Sequence, residues 1–554
     1  MTNAEIAQRL IALAQMLQAK AENPFKVRAY RRAARTLEAY DESVHDLVQA
    51  GADLTRIPGV GKGIASALRE IVSSGTLGQL EMLLGTVPPE VAALSEYPRL
   101  DPRRAARVFK KLKISRVSEL KKKFEEGVIG KIFGARMQDH FRSAFRTNHQ
   151  ILLDDADILA DKLRRYLQTR CGVSRVEIAG EVRRRVEVVG EIAFLIATDD
   201  FPRTRDGLAR YGGGLALLQS SGREATYQLP ASVTLKIRAA TENTWGTALV
   251  LLTGAEAHLA ELQKVGGLAR RAKNEAEVYT TIGLSWVPPE LREGRGETVL
   301  AAHDELPTLV ERADIRGDLH LHTTASDGQN SIEEMAEAAK ARGYEYIGIT
   351  DHSQSLRIAG GVSVAALWKQ IRRIDELNAR GLGIRILKSA EVDILADGSL
   401  DYPDDLLAEL DYTVCSIHSR FRLGKAEQTD RIRRAMDHPA FTILGHATGR
   451  LLLKRTGYDL DLERIAEHAR DTGCFFEINA DPDRLDLSAD NVRQVRAAGV
   501  KIAICTDAHR ASGLDYIRCG LDVARRAGLE KTAVLNTLPW TQLRRALKRK
   551  RGFI

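Results

Sequence analysis

The sequence predicts a multidomain α/β protein whose C-terminal part is a parallel β/α barrel. The chain has 554 residues, enough for three or more domains. Between Asp318 and His509 lie seven short, apolar, β-branched runs, each followed by a polar loop and a helical stretch. The N-terminal region is instead helical and basic. The strand–helix alternation predicts a barrel with its chemistry at the C-terminal ends of the strands.

Nine side chains of metal-ligand type follow the ends of these runs. Six of the seven runs end in His, Asp or Glu. A buried cluster of so many imidazoles and carboxylates is costly to desolvate without cations, which disfavours a purely structural role. Nitrogen and oxygen donors without cysteine favour zinc, manganese or iron over calcium. The predicted ligands are His320, His322, Asp327, His352, Glu391, His418, His446, Asp507 and His509.

The net charge of +8 is concentrated near the N-terminus. Residues 1–150 hold 25 Lys and Arg against 16 Asp and Glu, a surplus larger than the charge of the whole chain. Such a basic N-terminal region predicts a polyanion-binding module. The alternative is a solvated basic surface. We find no apolar run long enough to span a membrane. Five scattered cysteines without a CxxC pair predict a reducing, cytoplasmic location.

Residues 57–63 read Ile-Pro-Gly-Val-Gly-Lys-Gly, which matches the helix-hairpin-helix DNA-binding motif. Its glycines bend the backbone tightly and leave amide groups at a helix N-terminus, facing a phosphate. Contact with the DNA backbone, independent of base sequence, is the expected mode of binding. The predicted DNA-binding residues are Gly59, Gly61, Lys62, Gly63, Arg28, Arg31, Arg32 and Arg35.

The order of these parts resembles a bacterial family X DNA polymerase with a C-terminal polymerase-and-histidinol-phosphatase (PHP) domain, over essentially the whole chain. The most specific segments are DLHLHTTASDG, GITDHS, AEVDILADGSLDYP, ILGHATGR, EINADPDRLDL and CTDAH. The resemblance implies a nucleotidyltransferase-like α+β palm and thumb and a distorted (β/α)7 PHP barrel. The implied domains are 1–85 (helix-hairpin-helix), 86–150 (fingers-like), 151–235 (palm), 236–290 (thumb), 291–312 (linker) and 313–554 (PHP).

By this resemblance the barrel holds three divalent ions. The implied ligand sets are His320, His322, Glu391 and Asp507; Glu391, His418 and His446; and Asp327, His352 and His509. The implied catalytic groups are Asp507, His509, Glu391 and Arg450. Arg450 and Arg484 follow strands and are expected either to contact substrate phosphate or to form structural ion pairs. In relatives this domain is a manganese-dependent 3′→5′ exonuclease that also processes abasic sites and blocked 3′ ends.

The palm departs from the family pattern at its metal-binding positions. The three carboxylate positions hold Glu191, Ala193 and Thr234. One carboxylate does not hold two magnesium ions, so magnesium in the palm is not expected. Rescue of a weak site by Glu181, Glu187 or Glu191 is the opposing interpretation, disfavoured because acidic side chains on other strand positions point to the other face.

The lysine that gives some relatives a deoxyribose-phosphate lyase activity is also missing. The matching position in the helix after the hairpin is Ala67, and Lys62 falls elsewhere in the motif. We therefore expect little or no lyase activity.

The leading hypothesis is a DNA-repair nuclease that acts on gapped, nicked or 3′-end substrates, with polymerase activity weak or lost. The alternatives are an active gap-filling polymerase with a proofreading barrel, a phosphatase of small phosphomonoesters, and a silent DNA-binding protein with structural metals. We further expect a monomer that associates with no membrane.

Overall fold

The computed structural model describes residues 1–38, 40–87, 89–96, 100–145, 150–229 and 233–548. The chain forms two compact units. The first comprises Met1–Trp286 with Leu453–Arg455, and the second comprises Val287–Leu452 and the chain from Thr456 onward. Within the described residues, we find no helix that is both long and apolar enough to cross a membrane.

Five helices form the part of the first unit that carries the hairpin. Their bounds are α1 Asn3–Ala19, α2 Pro24–Glu38, α3 Val44–Gln49, α4 Lys62–Ser74 and α5 Gly78–Thr86. Apolar residues at helical spacing, such as Leu10, Leu13 and Leu17 of α1, are buried in one shared core. A capping box between Thr2 and Glu5 begins α1. The predicted helical N-terminal region is therefore confirmed.

Five further helices enclose a separate apolar core. Their bounds are α6 Pro89–Ala92, α7 Pro102–Leu112, α8 Val117–Glu125, α9 Val128–Phe133 and α10 Ala135–Phe145. Phe109, Leu120 and Phe141 lie in this core. Asp101 caps α7 by accepting hydrogen bonds from the first backbone amides of the helix, which suits a helix that begins with proline.

A mixed sheet forms the α+β part of the first unit. The elements of this part are β1 Ile151–Leu152, α11 Leu153–Arg170, β2 Arg175–Ala179, α12 Gly180–Arg183, β3 Val188–Val189, β4 Glu191–Ala197, α13 Phe201–Leu208, β5 Ala216–Ser221, β6 Glu224–Gln228 and β7 Thr234–Ala239. Strands β1 and β3 pair with each other in a separate two-stranded sheet. The strand order of the mixed sheet is β2-β4-β7-β6-β5, and only the β4–β7 pair is parallel. The predicted boundary at 235/236 falls within β7, so the sheet continues to Ala239. Helices α14 Trp245–Thr253, α15 Glu256–Val265 and α16 Glu275–Thr281 follow.

The second unit is a parallel β/α structure. Its elements are α17 Glu297–Ala302, β8 Gly317–Leu321, α18 Ile332–Ala341, β9 Tyr346–Ile349, α19 Val364–Ala379, β10 Arg385–Lys388, β11 Glu391–Asp393, α20 Asp404–Ala408, β12 Val414–Ser416, α21 Lys425–Met436, β13 Ile443–Leu444, α22 Leu462–Thr472, β14 Phe475–Asn479, α23 Ala489–Ala497, β15 Ile502–Cys505, α24 Ile517–Arg526 and α25 Trp540–Lys548. The strands are almost entirely buried, as expected where helices cover a parallel sheet.

The strands of this unit close into a ring. Two parallel sheets have the orders β10-β9-β8 and β11-β12-β13-β14-β15. Single bridges join Leu321 to Ala508 and His352 to Glu391, and so connect the two sheets at both ends. Because β10 and β11 are consecutive parts of one interrupted strand, residues 313–548, all of them described, form seven strand positions. The predicted distorted (β/α)7 barrel is confirmed.

Residues 291–312, predicted as a linker, belong to the second unit. Their neighbour Glu290 pairs with Arg525 of α24, and Glu293 pairs with Arg526. Arg295 forms an ion pair with Asp490 of α23. These ion pairs hold the segment against the barrel helices.

Candidate metal centre

The nine predicted ligands lie together at the C-terminal ends of the barrel strands. In a parallel barrel all strand ends of one polarity meet on the same face, so residues distant in sequence converge there. His320 lies within β8 and Glu391 begins β11, whereas the other seven follow their strands within a few residues. Each of the nine has a donor atom within 3.9 Å of another member.

Glu391 is the centre of this cluster, and its side chain is only 1% exposed. Its two carboxylate oxygens contact five imidazoles. The distances are 2.8 Å to His446 Nε2, 3.3 Å to His418 Nε2, 2.6 Å to His352 Nδ1, and 3.7 Å to the Nε2 atoms of His320 and His322. A carboxylate at such a position is suited to bridging two ions.

The spacing of the donor atoms fits divalent ions. Ligands at about 2.1 Å from a metal lie about 3.0–3.5 Å from one another. Asp507 Oδ1 lies 3.0 Å from His322 Nε2 and 3.6 Å from His320 Nε2. Both Nε2 atoms and Glu391 Oε2 are buried without a hydrogen-bond partner. Since unpartnered buried polar atoms are costly, this donor set fits bound cations.

The cluster is open to solvent at one edge. Asp327 Oδ1 lies 3.3 Å from His509 Nε2 and 3.5 Å from His352 Nε2. The side chains of Asp327 and His509 are each 35% exposed, whereas that of His322 is fully buried. Solvent therefore reaches the cluster most easily beside Asp327 and His509.

The groups of donor atoms at ligand spacing share more residues than the three predicted ligand sets do. Four donors at ligand spacing belong to Asp327, His352, His509 and also His322. A second group joins His320 and His322 to Glu391, and a third joins His352 and His418 to Glu391. His322 and His352 therefore each belong to two donor groups. The sequence did not indicate that these residues are shared.

The charges of the cluster shift its pKa values strongly. Burial would raise the pKa of Glu391, but the His418, His352 and His320 imidazoles hold it well below its usual range. Burial would lower the pKa of His352, yet the carboxylates of Glu391 and Asp327 raise it to about 10. Because a histidine binds metal as the neutral imidazole, metal binding must displace protons from the cluster.

Two carboxylates that the sequence analysis missed orient the histidines. Glu477 of β14, fully buried, lies 2.7 Å from His320 Nδ1 and accepts a 2.7 Å hydrogen bond from the His446 backbone amide. Asp393 of β11 lies 2.7 Å from His418 Nδ1. Such contacts fix the ring so that Nε2 is left for a metal. Asp393 lies two residues after Glu391 and therefore on the same face of the strand. This spacing is the signal in the sequence from which Asp393 could have been predicted.

Replacement of Glu477 by glutamine is expected to weaken manganese binding by about 10- to 100-fold, because the His320 ring loses its carboxylate partner. Isothermal titration of the purified variant measures the change. Glu467→Gln, on the exposed face of α22, is the matched control and should bind as the wild type does. Equal affinities for the two variants would contradict the orienting role.

Arg450, predicted to act in catalysis, is bound to the backbone of the loop that follows β14. Its guanidinium donates hydrogen bonds to the backbone carbonyl oxygens of Arg484, at 3.1 Å, and of Leu485. Arg484 instead lies 3.6 Å from Asp507 Oδ2. Asn479 donates a 2.9 Å hydrogen bond to the same carboxylate. Arg450 thus supports the loop that carries Arg484. Arg484 is the arginine that lies beside Asp507 of the cluster.

The palm positions form a different environment. Glu191 of β4 lies opposite Thr234 of β7, and Ala193 lies opposite Lys236. Partners in register point to the same face of a sheet, so the Lys236 ammonium lies on the face that carries Glu191. Lys236 Nζ is 2.9 Å from Glu224 Oε1. Burial raises the pKa of Glu191, and the Lys236 charge partly offsets this.

Neighbouring charged groups of the palm are held by protein partners. Glu181 accepts hydrogen bonds from the backbone amides of Gly190, at 2.6 Å, and Glu191, at 3.1 Å. Arg183 forms a bidentate pair with Glu275. Arg185 forms another with Asp157. Among the described residues of the first unit, no group of three acidic, histidine or cysteine side chains stands at metal-ligand spacing.

The glycines of the hairpin lie in a tight turn and at a helix start, as the sequence predicts. Gly59 has φ +79°, and a Cβ there would lie 3.8 Å from Arg32 of α2. Gly61 precedes α4, and Lys62 and Gly63 are exposed in its first turn. The backbone amides at this helix start are accessible to a phosphate.

The basic residues of α2 divide into two groups. Arg28, Arg32 and Arg35 are exposed. Arg31 is only partly exposed, and its Nη2 donates a 2.6 Å hydrogen bond to Gln18 Oε1. The DNA contact of Arg31 stays a prediction.

Comparison with known proteins gives matches to both parts of the chain. Residues 1–77 match the family described as a helix-hairpin-helix domain, and residues 318–481 match the PHP domain. The chain is 33% identical to the DNA polymerase/3′-5′ exonuclease PolX of Bacillus subtilis, over 98% of this chain and 99% of that protein. It is 30% identical to a probable phosphatase of Thermoanaerobacter sp., over 40% of this chain and 89% of that protein. A histidinol phosphate phosphatase of Lactococcus lactis, solved with zinc, L-histidinol and phosphate, is 18% identical with a TM-score of 0.31, over 39% of this chain and 94% of that one.

Proposed function

Because the chain belongs to the PolX family of DNA polymerase/3′-5′ exonucleases, we propose that its barrel cluster removes nucleotides from the 3′ ends of DNA while its palm holds DNA with polymerase activity weak or lost. One contrast carries this proposal. The barrel joins its donor side chains through the buried Glu391, whereas the palm has Glu191 alone beside Ala193 and Thr234. The proposed role is DNA repair at gapped, nicked, abasic or blocked 3′ ends.

Divalent ions, with manganese, zinc or iron as candidates for three sites, would supply a nucleophile for in-line attack on phosphorus and stabilise the developing charge. The nine donor side chains hold these ions in the proposal. Glu477 and Asp393 keep the rings of His320 and His418 in place. The Arg484 guanidinium, beside Asp507, offsets negative charge on the substrate phosphate.

The test of this proposal is a 5′-labelled primer–template incubated with manganese, with and without dNTPs. Shortening of the primer supports a 3′→5′ nuclease, and its lengthening would support a gap-filling polymerase instead. The relatives that match the barrel alone are probable phosphatases, which favours phosphomonoester hydrolysis as the second candidate. Release of phosphate from p-nitrophenyl phosphate without any shortening of DNA would assign that activity.

The hairpin is proposed to bind the DNA backbone through Lys62 and Arg32, both exposed beside the start of α4. Replacement of both by glutamine is expected to weaken DNA binding and to reduce the slope of log affinity against log salt by about 2, one for each lost phosphate contact. Fluorescence anisotropy at several salt concentrations measures this slope. Lys369→Gln, on the exposed face of α19, is the control, and an unchanged slope in the double variant would exclude the hairpin from the interface.

A further inference from the structure

Ile358 is the most exposed large apolar side chain of the described residues. Its exposed fraction is 96%, against 73% for Phe25, the next highest. An aliphatic side chain that projects fully into water gains nothing from the fold itself. Ile358 lies in a short 3-10 turn, Arg357–Ala359, only six residues after the cluster member His352.

The loop that carries Ile358, residues 353–362, is tied to the cluster at both ends. The Ser353 amide donates a 2.9 Å hydrogen bond to the Glu391 carbonyl, and the Val362 amide donates one of 2.8 Å to the His352 carbonyl. Within the loop, Ser355 Oγ donates a 2.6 Å hydrogen bond to Asp393. The loop is therefore held by the residues that build the metal centre and its support.

The interior of the loop is closely packed. A Cβ on Gly361 would lie 2.1 Å from the Ser353 carbonyl oxygen, so only glycine fits there. The Gly361 amide also donates a hydrogen bond to the Leu356 carbonyl. Packing of this kind fixes the direction of the turn. The exposure of Ile358 therefore follows from a well-packed loop conformation.

The loop stands beside the open edge of the cluster. A Cβ on Gly360 would lie 3.2 Å from the carbonyl oxygen of Ser326, the residue before Asp327. Asp327 and His509 form the exposed edge of the cluster. Ile358, two residues from this contact, therefore flanks the route by which a substrate reaches the metal ligands.

Exposed cations in the loops at this end of the barrel favour a nucleic acid as the ligand of Ile358. Arg357 next to it is exposed, as are Arg420 and Arg422 after β12 and Arg510 after β15, all in loops at the same end of the barrel. Cations with a projecting apolar side chain match a phosphate backbone with stacked bases. A small phosphomonoester has no part that would cover an aliphatic side chain outside the cluster.

We propose that Ile358 is a wedge that inserts against the last base pair of a DNA end and separates the 3′-terminal nucleotide for hydrolysis. Apolar side chains inserted between base steps unstack DNA in this way. Ile358 is thus a positioning residue, and the proposal rests on the proposed 3′-end nuclease. A wedge should matter at base-paired 3′ ends and not at ends that are already frayed.

The first test compares rates of shortening for Ile358→Ser on a fully paired 3′ end and on an end with three terminal mismatches. We expect a loss of about tenfold on the paired end, within the range for one lost base contact, and less than twofold on the mismatched end. Ile358→Leu should keep the wild-type rates. Val299→Ser, at a site that is 61% exposed in α17, is the matched control. Equal losses on both ends, or no loss, overturn the proposal.

The second test does not depend on cleavage. In an Asp507→Asn background, 2-aminopurine at the 3′-terminal position of a duplex should become more fluorescent when the protein binds, because the base leaves the stack. Adding I358S should remove at least half of this increase. An increase of the same size with I358S overturns the proposal. If the wild type cuts no DNA, the proposed nuclease fails, and the fluorescence still decides whether Ile358 opens the end.

Discussion

Asp507→Asn is expected to reduce the manganese-dependent shortening of a 5′-labelled primer by about 100-fold or more. Asp507 is a buried carboxylate whose Oδ1 lies 3.0 Å from His322 Nε2 and 3.6 Å from His320 Nε2. An amide of the same shape keeps one oxygen but loses the charge that a divalent ion requires. Loss of a few kcal/mol of charge stabilisation corresponds to two or more orders of magnitude in rate.

The control for this change is Asp515→Asn. Asp515 is a solvent-exposed barrel aspartate that pairs with Arg342. Its variant should shorten DNA at the wild-type rate, and circular dichroism should show both variants folded. Retention of more than a tenth of the activity by a folded Asp507→Asn protein would place the nuclease outside the barrel.

Primer extension is the second large expected difference. With magnesium or manganese and all four dNTPs, the chain should extend a gapped primer at least 100-fold more slowly than Bacillus subtilis PolX in parallel reactions. The physical reason is the charge on the sheet face. Glu191 has no second carboxylate at Ala193 or Thr234, and the Lys236 ammonium lies opposite Ala193. One carboxylate does not hold the two ions that nucleotidyl transfer requires, and the nearby Glu224 carboxylate is already paired with Lys236.

The extension assay needs the nuclease to be silent, so it is run in the Asp507→Asn background. Shortening then does not mask slow synthesis. DNA-binding measurements on the same samples show whether the primer–template is bound. Extension within tenfold of the relative would mean that Glu181 or another group completes a palm metal site, and our interpretation of this sheet would be wrong.

Residues whose place follows directly from the order of the strands could be predicted from the sequence. In a parallel barrel the residue after each strand must face the same end, so His352, His418 and His446 were identified from the runs that precede them. The seven-position barrel followed from the same alternation of apolar runs and helices. These features depend on local pattern and on general rules of topology.

Features that depend on three-dimensional register or loop path were missed. In the sequence Glu477 resembles any acidic residue in a strand. Its contact with His320 becomes evident only when the strands are closed into the barrel. Arg450 and Arg484 both follow strands, and only the backbone path shows that Arg450 binds the carbonyl oxygen of Arg484. The place of Lys236 opposite Ala193 likewise required the pairing of β4 with β7.

The bidentate pairs of Arg183 with Glu275 and of Arg185 with Asp157 have a consequence for the history of the palm. If the proposed loss of polymerase activity holds, a descendant with aspartate at positions 193 and 234 would still have Lys236 beside them and two arginines committed to internal partners. An aspartate at either position alone would lie on the sheet face that carries the Glu224–Lys236 ion pair. On that proposal, recovery of synthesis would demand several substitutions together, and a single one would bring no gain on which selection could act.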